Sequence, residues 1–540
     1  MSPRHRPCEN CRKQHVKCEG YPTCARCQRS NRECRRVETK WRFRHSIPAV
    51  RHFDKTPKYT QPSPNYLALN STPNEVSVSP QTPHSSFSLS RPTSASTPGN
   101  RSRFHLPTHT SNQGTTSLRA HHVPWPRIST RDACLLRYFT EDLSRWFDLT
   151  DPQRHFATAI PQRARECSTL LDAILAVSAR HFSTLPEHQK LQLINAYGLA
   201  HTQVQDLNIT EETVIHYHNK CITELRILAD EPDAVMDENL LAAVVVLRFF
   251  EELDNPFINP PTETALQGLH VFLRAQASSA LSSAPGPRKA AFWIGFRQEF
   301  NLAFSQQRTI RLPLSIASSY LTFDDAPDHI WTNRLIVIGT YVLEFCYGNP
   351  NPNPNPNPNG EGDCNRDRSD SRYEYTDLIA LRDKWAEKRP RSFAPIYVEP
   401  SSDNSSTHQY HLFPRIWYMD DCHIVAGQVL GMLDILFMAY SPHIPRIGPA
   451  RLECVEAVDA KIRATVLEMC GMALSNQQSR PAGLTACIAI NICADRFTDA
   501  REQRALMELV VSTTLNSNYW PTTESQAMLR AAWRWDDGGL

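Results

Sequence analysis

The sequence predicts a mainly α-helical chain: a small cysteine cluster with two short helices, a disordered linker and a large all-α domain. Three observations carry that expectation. Six of the 16 cysteines crowd into residues 8–34. Between residues 61 and 117, 29 of 57 residues are Ser, Thr or Pro. From about residue 128 onward, apolar residues recur at the spacing of helical turns. A chain of 540 residues exceeds what one hydrophobic core organises, so several units are expected. The expected boundaries are 1–45 for the cluster with a basic extension, 46–124 for the linker and 125–540 for the helical body.

The formal net charge of +2 hides an asymmetry. Residues 1–45 hold 13 Lys and Arg against 4 Asp and Glu, leaving 45 against 52 for the remainder. A basic head on a mildly acidic body is the footprint of a chain that docks on a polyanion through one end. The N-terminus, Met1-Ser2-Pro3-Arg4-His5-Arg6, lacks the apolar run of a signal peptide. A reducing compartment is therefore expected, where clustered cysteines bind metal and do not pair as disulfides. The most apolar long stretch, residues 423–440, is interrupted by His423, Gln428 and Asp434, which suits a buried helix and not a membrane span.

The cluster reads Cys8, Cys11, Cys18, Cys24, Cys27 and Cys34, or C-x2-C-x6-C-x5-C-x2-C-x6-C. The two halves repeat one spacing, so each can place two thiolates at the start of a short helix and return a third about two turns later. Zinc takes four tetrahedral thiolates, so two Zn2+ ions need eight ligand positions, and six cysteines fill them only if two bridge. Cys8 and Cys24 occupy equivalent places in the repeat and are the expected bridges. One ion would then take Cys8, Cys11, Cys18 and Cys24, the other Cys8, Cys24, Cys27 and Cys34. The alternatives are a simple zinc ribbon, whose two CxxC pairs need no third and sixth cysteine, and an iron–sulfur site. Large apolar residues inside the cluster are only Val16 and Tyr21, so metal must supply the stability that burial cannot.

This pattern, with Lys17 directly before the third cysteine and Gly20-Tyr21-Pro22 before the fourth, resembles the fungal zinc binuclear cluster family of transcription factors across residues 7–36. The resemblance implies double-stranded DNA as partner, a CGG-like triplet as target, regulation of RNA polymerase II transcription and a nuclear location. Lys17 is the expected base reader. Its first-repeat segment also holds Arg12, Lys13, Gln14, His15 and Val16, whereas the second repeat has Glu33 where the first has Lys17. The first helix is therefore the better candidate for the major groove, where Lys and Arg donate to guanine edges. Gln14 and His15 stand where the family commonly carries Arg and Lys. Arg12, Lys13, Arg26 and Arg29 are expected on phosphates, and Arg35 and Arg36 open a basic run that extends through Lys40-Trp41-Arg42.

The linker holds one acidic residue, Glu75, between 61 and 117 and cannot bury a core that offsets its ordering entropy. No sustained heptad follows the cluster, because Pro57 and Pro62 interrupt it, so a homodimer enters only as a candidate. In the body, helices are expected around Leu135, Leu136, Phe139, Leu143 and Trp146; Leu170, Leu171 and Ile174; and Leu240, Leu241, Val244 and Val245. Further helices are expected around Phe292, Trp293, Phe296 and Phe300; Leu335, Ile336 and Ile338; and Val425, Val429, Leu433 and Leu436. Residues 348–372, opening with an Asn-Pro repeat, read as a flexible insertion.

Several stretches of the body resemble the fungal-specific transcription factor domain over roughly residues 125–530. They are Trp146-Phe147-Asp148, Arg154-His155-Phe156, Asp237-Glu238-Asn239-Leu240-Leu241, Phe250-Glu251-Glu252-Leu253 and Arg297-Gln298-Glu299. The implied role is a helical scaffold that presents activation function to co-regulators or the transcription machinery, with a small-molecule effector as a candidate ligand. Ordinary core and helix-cap roles are an equal expectation for these residues. A thiol redox sensor is the alternative, in which the cluster releases zinc on oxidation. No phosphate loop, dinucleotide fingerprint, HExxH or GxSxG occurs, so catalysis is not expected. His216, His218 and Cys221 could suggest a metal site, but histidines two apart on a helix face different ways.

Overall fold

The computed structural model describes residues 25–29, 128–199, 209–228, 231, 233–254, 264–348, 373–401, 412–515 and 521–535. The expected linker at 46–124 and the Asn-Pro segment after Gly348 lie outside them, as does nearly all of the head. In the head, α1 (Ala25–Arg29) begins directly after Cys24.

The body is helical almost throughout. It opens with α2 (Thr130–Tyr138), which Ser129 caps by accepting the Asp132 amide at 3.1 Å. A π-helical turn over Phe139–Leu143 then leads into α3 (Ser144–Phe147). The hydroxyls of Thr140 and Ser144 donate back to Leu136 O at 2.9 Å and Thr140 O at 2.8 Å, competing with the helical ladder at the place where it loosens. Then come α4 (His155–Thr158), α5 (Ile160–Arg163), α6 (Ser168–Thr184), α7 (Glu187–Ala196), α8 (Glu211–Leu228), α9 (Glu238–Asp254) and α10 (Thr264–Ser282).

The second half continues with α11 (Pro287–Ser305), α12 (Asp328–Tyr347) and α13 (Tyr375–Lys388). A short antiparallel pair, β1 (Tyr397–Glu399) and β2 (Arg415–Trp417), interrupts the helices, with Val398 opposite Ile416. The chain closes with α14 (Asp421–Ala439), α15 (Ala450–Ser475), α16 (Arg480–Ile492), α17 (Ala500–Leu515) and α18 (Thr523–Trp533). The expected helical stretches all fall in helical elements. The β pair is the exception to an all-α body, and Asn476 anchors it: its Nδ2 donates to Ile416 O at 2.7 Å and its Oδ1 accepts the Tyr418 amide at 3.1 Å.

Central helices are buried on every side, with few polar residues among their apolar ones. All residues from Leu240 to Phe250 of α9 are buried, and so are all from Trp331 to Thr340 of α12. A helix with no polar face belongs inside a packed core. One half of the body packs α6 against α8 and α9; the other packs α14 against α12 and α15, and α15 against α16. Trp385 of α13 donates its indole N–H to Trp331 O at 2.8 Å inside the second half. Helix α14 is long and apolar enough to cross a membrane, yet most of it is buried within the body, as the interruptions at His423, Gln428 and Asp434 suggest. Gly339 lets α12 close onto α11, since a Cβ there would stand 2.6 Å from the Phe300 ring.

Candidate functional site

In the head, the described helix α1 carries the fifth cysteine of the cluster. Cys27 is 3% exposed, while Gln28 and Arg29 on the same short helix are exposed. Six thiols are the donor set that zinc prefers. Cys8, Cys11, Cys18, Cys24 and Cys34 lie outside the described residues, together with Arg12, Lys13, Gln14, His15, Lys17, Arg35 and Arg36. Arg26 lies in α1, with its side chain outside the description.

In the body, stretches far apart in sequence meet. The rings of Phe147 and Phe156 stack at 5.0 Å and 10°, and Phe249 closes on Phe147 at 5.1 Å. The Asp148 carboxylate accepts the amides of Phe156 at 3.0 Å and Ala157 at 2.9 Å, so it caps α4. From α11, buried Arg297 donates to Phe147 O at 3.0 Å and to Thr150 Oγ1 at 3.2 Å. Three of the stretches that pointed to a regulatory domain therefore build one buried node. Electrostatics around it are strained by burial. Burial pushes Asp148 up to about 7, with Asp151 adding to the effect and its two amide donors opposing it. Burial also brings Arg297 down to about 10 against the pull of Asp148, Glu252 and Asp421.

Glu299, two residues along α11 from Arg297, shows the opposite outcome. Burial would raise it, but the side chains of His270 at 3.0 Å and Arg308 at 2.8 Å hold it at about 2. Its Oε1 also accepts the Arg311 amide at 2.7 Å, tying the loop after α11 to the core.

The family models decide what this architecture is. The fungal Zn(2)-Cys(6) binuclear cluster domain matches residues 6–42, and the fungal specific transcription factor domain matches residues 134–278. The chain carries both domains of a zinc-cluster transcription regulator. No curated protein and no solved structure matches it. The zinc-cluster domain binds two zinc ions and DNA, and both matched domains are transcription factor domains.

The match to the regulator's helical domain begins at Cys134 in α2 and ends at Ser278 in α10. It covers Phe147, Asp148, Phe156 and Glu252 but leaves out Arg297 and everything from α11 onward. The remaining stretches serve the fold: Asp237 caps α9 through the Asn239 amide at 2.7 Å, and Glu238 pairs with Arg163. His218 stacks on Phe250 at 4.8 Å while Cys221 donates to Thr169 O at 3.3 Å, so the two point to separate neighbours. Among the described residues, no group of three or more His, Cys, Asp or Glu could hold a metal ion.

Most body cysteines behave as buried hydrophobes, while Cys167, Cys346 and Cys454 are half-buried. Burial raises Cys134 to about 11 and Cys346, Cys487 and Cys493 to about 12, and it raises Cys221 and Cys470 as well. A thiol held protonated is a poor redox sensor. Reading the sequence missed Asn333, Trp293 and Lys289, which line a cavity beside the Phe147 node. An Asn within an apolar helix was the available signal.

Proposed function

We propose that this chain regulates RNA polymerase II transcription from the nucleus by reading CGG-like triplets through the first helix of its zinc cluster, without catalysis of its own. In this reading residues 1–45 are the DNA-binding head, 46–124 the linker and 125–540 the regulatory body with an insertion at 348–372. Cys8 and Cys24 bridge the two zinc ions, and Cys11, Cys18, Cys27 and Cys34 complete their tetrahedra. Zinc supplies the fold of the head: structural zinc contributes about 10 to 16 kcal/mol in comparable small peptides. Lys17 reads a guanine edge in the major groove, flanked by Gln14 and His15. Arg12, Lys13, Arg26, Arg29, Arg35 and Arg36 hold phosphates.

The observation that carries this reading is the doubled C-x2-C-x6-C spacing, with its fifth cysteine buried on a helix whose Arg29 is exposed. Co-regulators or the transcription machinery, a second copy of the chain and a small-molecule effector complete the partners it implies. Selection of bound duplexes from a random pool, with residues 1–60 and then the full chain, tests it. Enriched CGG-like triplets are expected, paired at a fixed spacing only if the chain dimerises. Enrichment without any triplet would refute the base-reading role.

A further inference from the structure

Beside the Phe147 node, the body holds two adjoining cavities and a buried amide, Asn333, with both polar atoms unpaired. The inner cavity, of about 330 Å3, has apolar walls from Phe147, Trp293, Ile294, Pro327 and Ile330. Asn333 lines it, 1% exposed, and neither its Oδ1 nor its Nδ2 has a hydrogen-bond partner. His329, Ile330 and Asn333 follow one another at helical spacing on α12, so they present one face to the same space. Exposed Pro152, Gln153 and Pro285 form its rim.

Leaving both polar atoms of a buried amide unpaired is unfavourable, and native proteins rarely do so. An apolar side chain of the same shape would serve α12 better if packing were its only role, since Trp331, Leu335 and Ile336 around it are already core. The amide presents an acceptor beside a donor in one plane, and its complement is a planar group with a donor beside an acceptor. A lactam, a carboxamide and a nucleobase edge share that chemistry, as in the bidentate contact of Asn with adenine. The cavity size falls at the lower end of the range for small-molecule sites, whose usual composition is apolar walls with few polar groups.

Charge narrows the class. The outer cavity, about 580 Å3, shares Thr150, Asp151, Pro152, Pro327 and His329 with the inner one. Its wall adds Asp328, Asp420 and Asp421, with Asp148 raised to about 7 by burial, against Arg145, Arg154 and the His423 that pairs with Asp328. Even without Asp148 and the paired Asp328, the carboxylates of Asp151, Asp420 and Asp421 outnumber the guanidinium groups. The Lys289 ammonium, held to Ser283 O at 2.7 Å, adds one positive charge and, with Asp328 counted, still leaves the carboxylates in excess, while burial lowers His329 from its ordinary value.

We infer that the body binds a compact, uncharged or cationic, largely apolar molecule whose lactam- or carboxamide-like edge pairs with Asn333. The apolar part packs against Trp293 and Ile330, and any polar tail faces the acidic outer cavity. This names a site and a ligand class for the effector in the proposed regulatory role, on which its biological meaning rests. Binding is read on the protein without DNA, so failure here leaves the DNA-reading role untouched, and failure there leaves the site.

The test uses full-length zinc-loaded protein and a matched pair of probes, 2-quinolinone and coumarin, which differ by a ring N–H replaced with oxygen. Calorimetry or ligand-observed NMR is expected to give roughly tenfold or greater preference for 2-quinolinone, the size of effect expected when a donor is lost from a buried pair. The 4-carboxylate of 2-quinolinone is expected to bind more weakly than its parent. Asn333→Leu should abolish the preference while the melting temperature holds or rises, because an unpaired amide is removed. Ile330→Trp, which fills the chamber and leaves Asn333 in place, should abolish binding of both probes and keeps the test decisive should the first variant not fold. Equal binding of the two probes, binding of neither at millimolar concentration, or a preference that survives Asn333→Leu would overturn the inference.

Discussion

The head and the body of this regulator reach a folded state by opposite routes. Between Cys8 and Cys34 the head offers only Val16 and Tyr21 as large apolar residues, whereas a single helix of the body buries every residue from Leu240 to Phe250. A module organised by metal does not depend on an apolar interior for its fold. A module organised by burial has a large interior, and groups placed there have shifted protonation and can be left without partners. Asp148, Glu299 and Asn333 are all products of that interior.

The contrast breaks first at the metal. Cys24→Ala removes the proposed bridge from both ions, so the head should unfold and duplex affinity should vanish in gel shifts, while metal analysis falls well below two zincs per chain. Thermal unfolding of the body should be unchanged, because none of its described residues needs the metal. Undiminished DNA binding by chelated protein would sink the metal-built half of the comparison.

The reciprocal test removes burial. Phe156 is fully buried and stacks on Phe147, so Phe156→Ala should destabilise the body by about 3–5 kcal/mol in chemical denaturation. Zinc content and the duplex affinity of the head should stay as they were. A loss of zinc in this variant would show that the two regions are not energetically separate.

Two buried carboxylates then sharpen what burial does. Asp148 rises from 3.8 to about 7 in the folded state, so between those values the native protein holds a proton that the unfolded chain has released. Stability must fall as pH rises through that window, by on the order of 4 kcal/mol. Glu299 is held at about 2, below its ordinary 4.5, so its contribution is present above pH 4.5 and is lost as pH falls toward 2. Asp148→Asn should flatten the first slope, and Glu299→Gln the second, in denaturation followed across pH. The difference lies in partners: Glu299 has His270 and Arg308, whereas Asp148 has backbone amides and the like charge of Asp151.

Legibility in the sequence follows the same division. Metal ligands are read as spacing, so the cluster and its zinc stand out from the order of the residues alone. Helices of the body are legible wherever the apolar period is clean, as in Leu240-Leu241 through Phe250. The β pair is not, because three residues per strand are too few for alternation to register, and the π turn at Phe139–Leu143 depends on hydroxyls of Thr140 and Ser144 that look like any helical polar residue. Nothing in sequence brings Arg297 to Phe147, 150 positions away. Asn333 is least legible of all, since a satisfied and an orphaned Asn are the same letter, and packing alone separates them.

The smallest expected effects lie within the head and ask whether its cations serve for reading or only for attraction. Lys17→Ala should lower discrimination among triplets by roughly 1–3 kcal/mol while leaving nonspecific affinity close to the parent, as expected for loss of a base-edge contact. Arg12→Ala should weaken every sequence alike and reduce the slope of log affinity against log salt by about 1, because one phosphate contact and its released counterion are gone. Titrations of both variants against matched and scrambled duplexes at several salt concentrations separate the two. If Arg12→Ala changed the preferred triplet and Lys17→Ala changed only the salt slope, the groove-facing side of the first helix would be the opposite of the one proposed. Charge would then have misled where spacing did not: Lys17 stands out because its counterpart in the second repeat is Glu33, a difference of sign and not of direction.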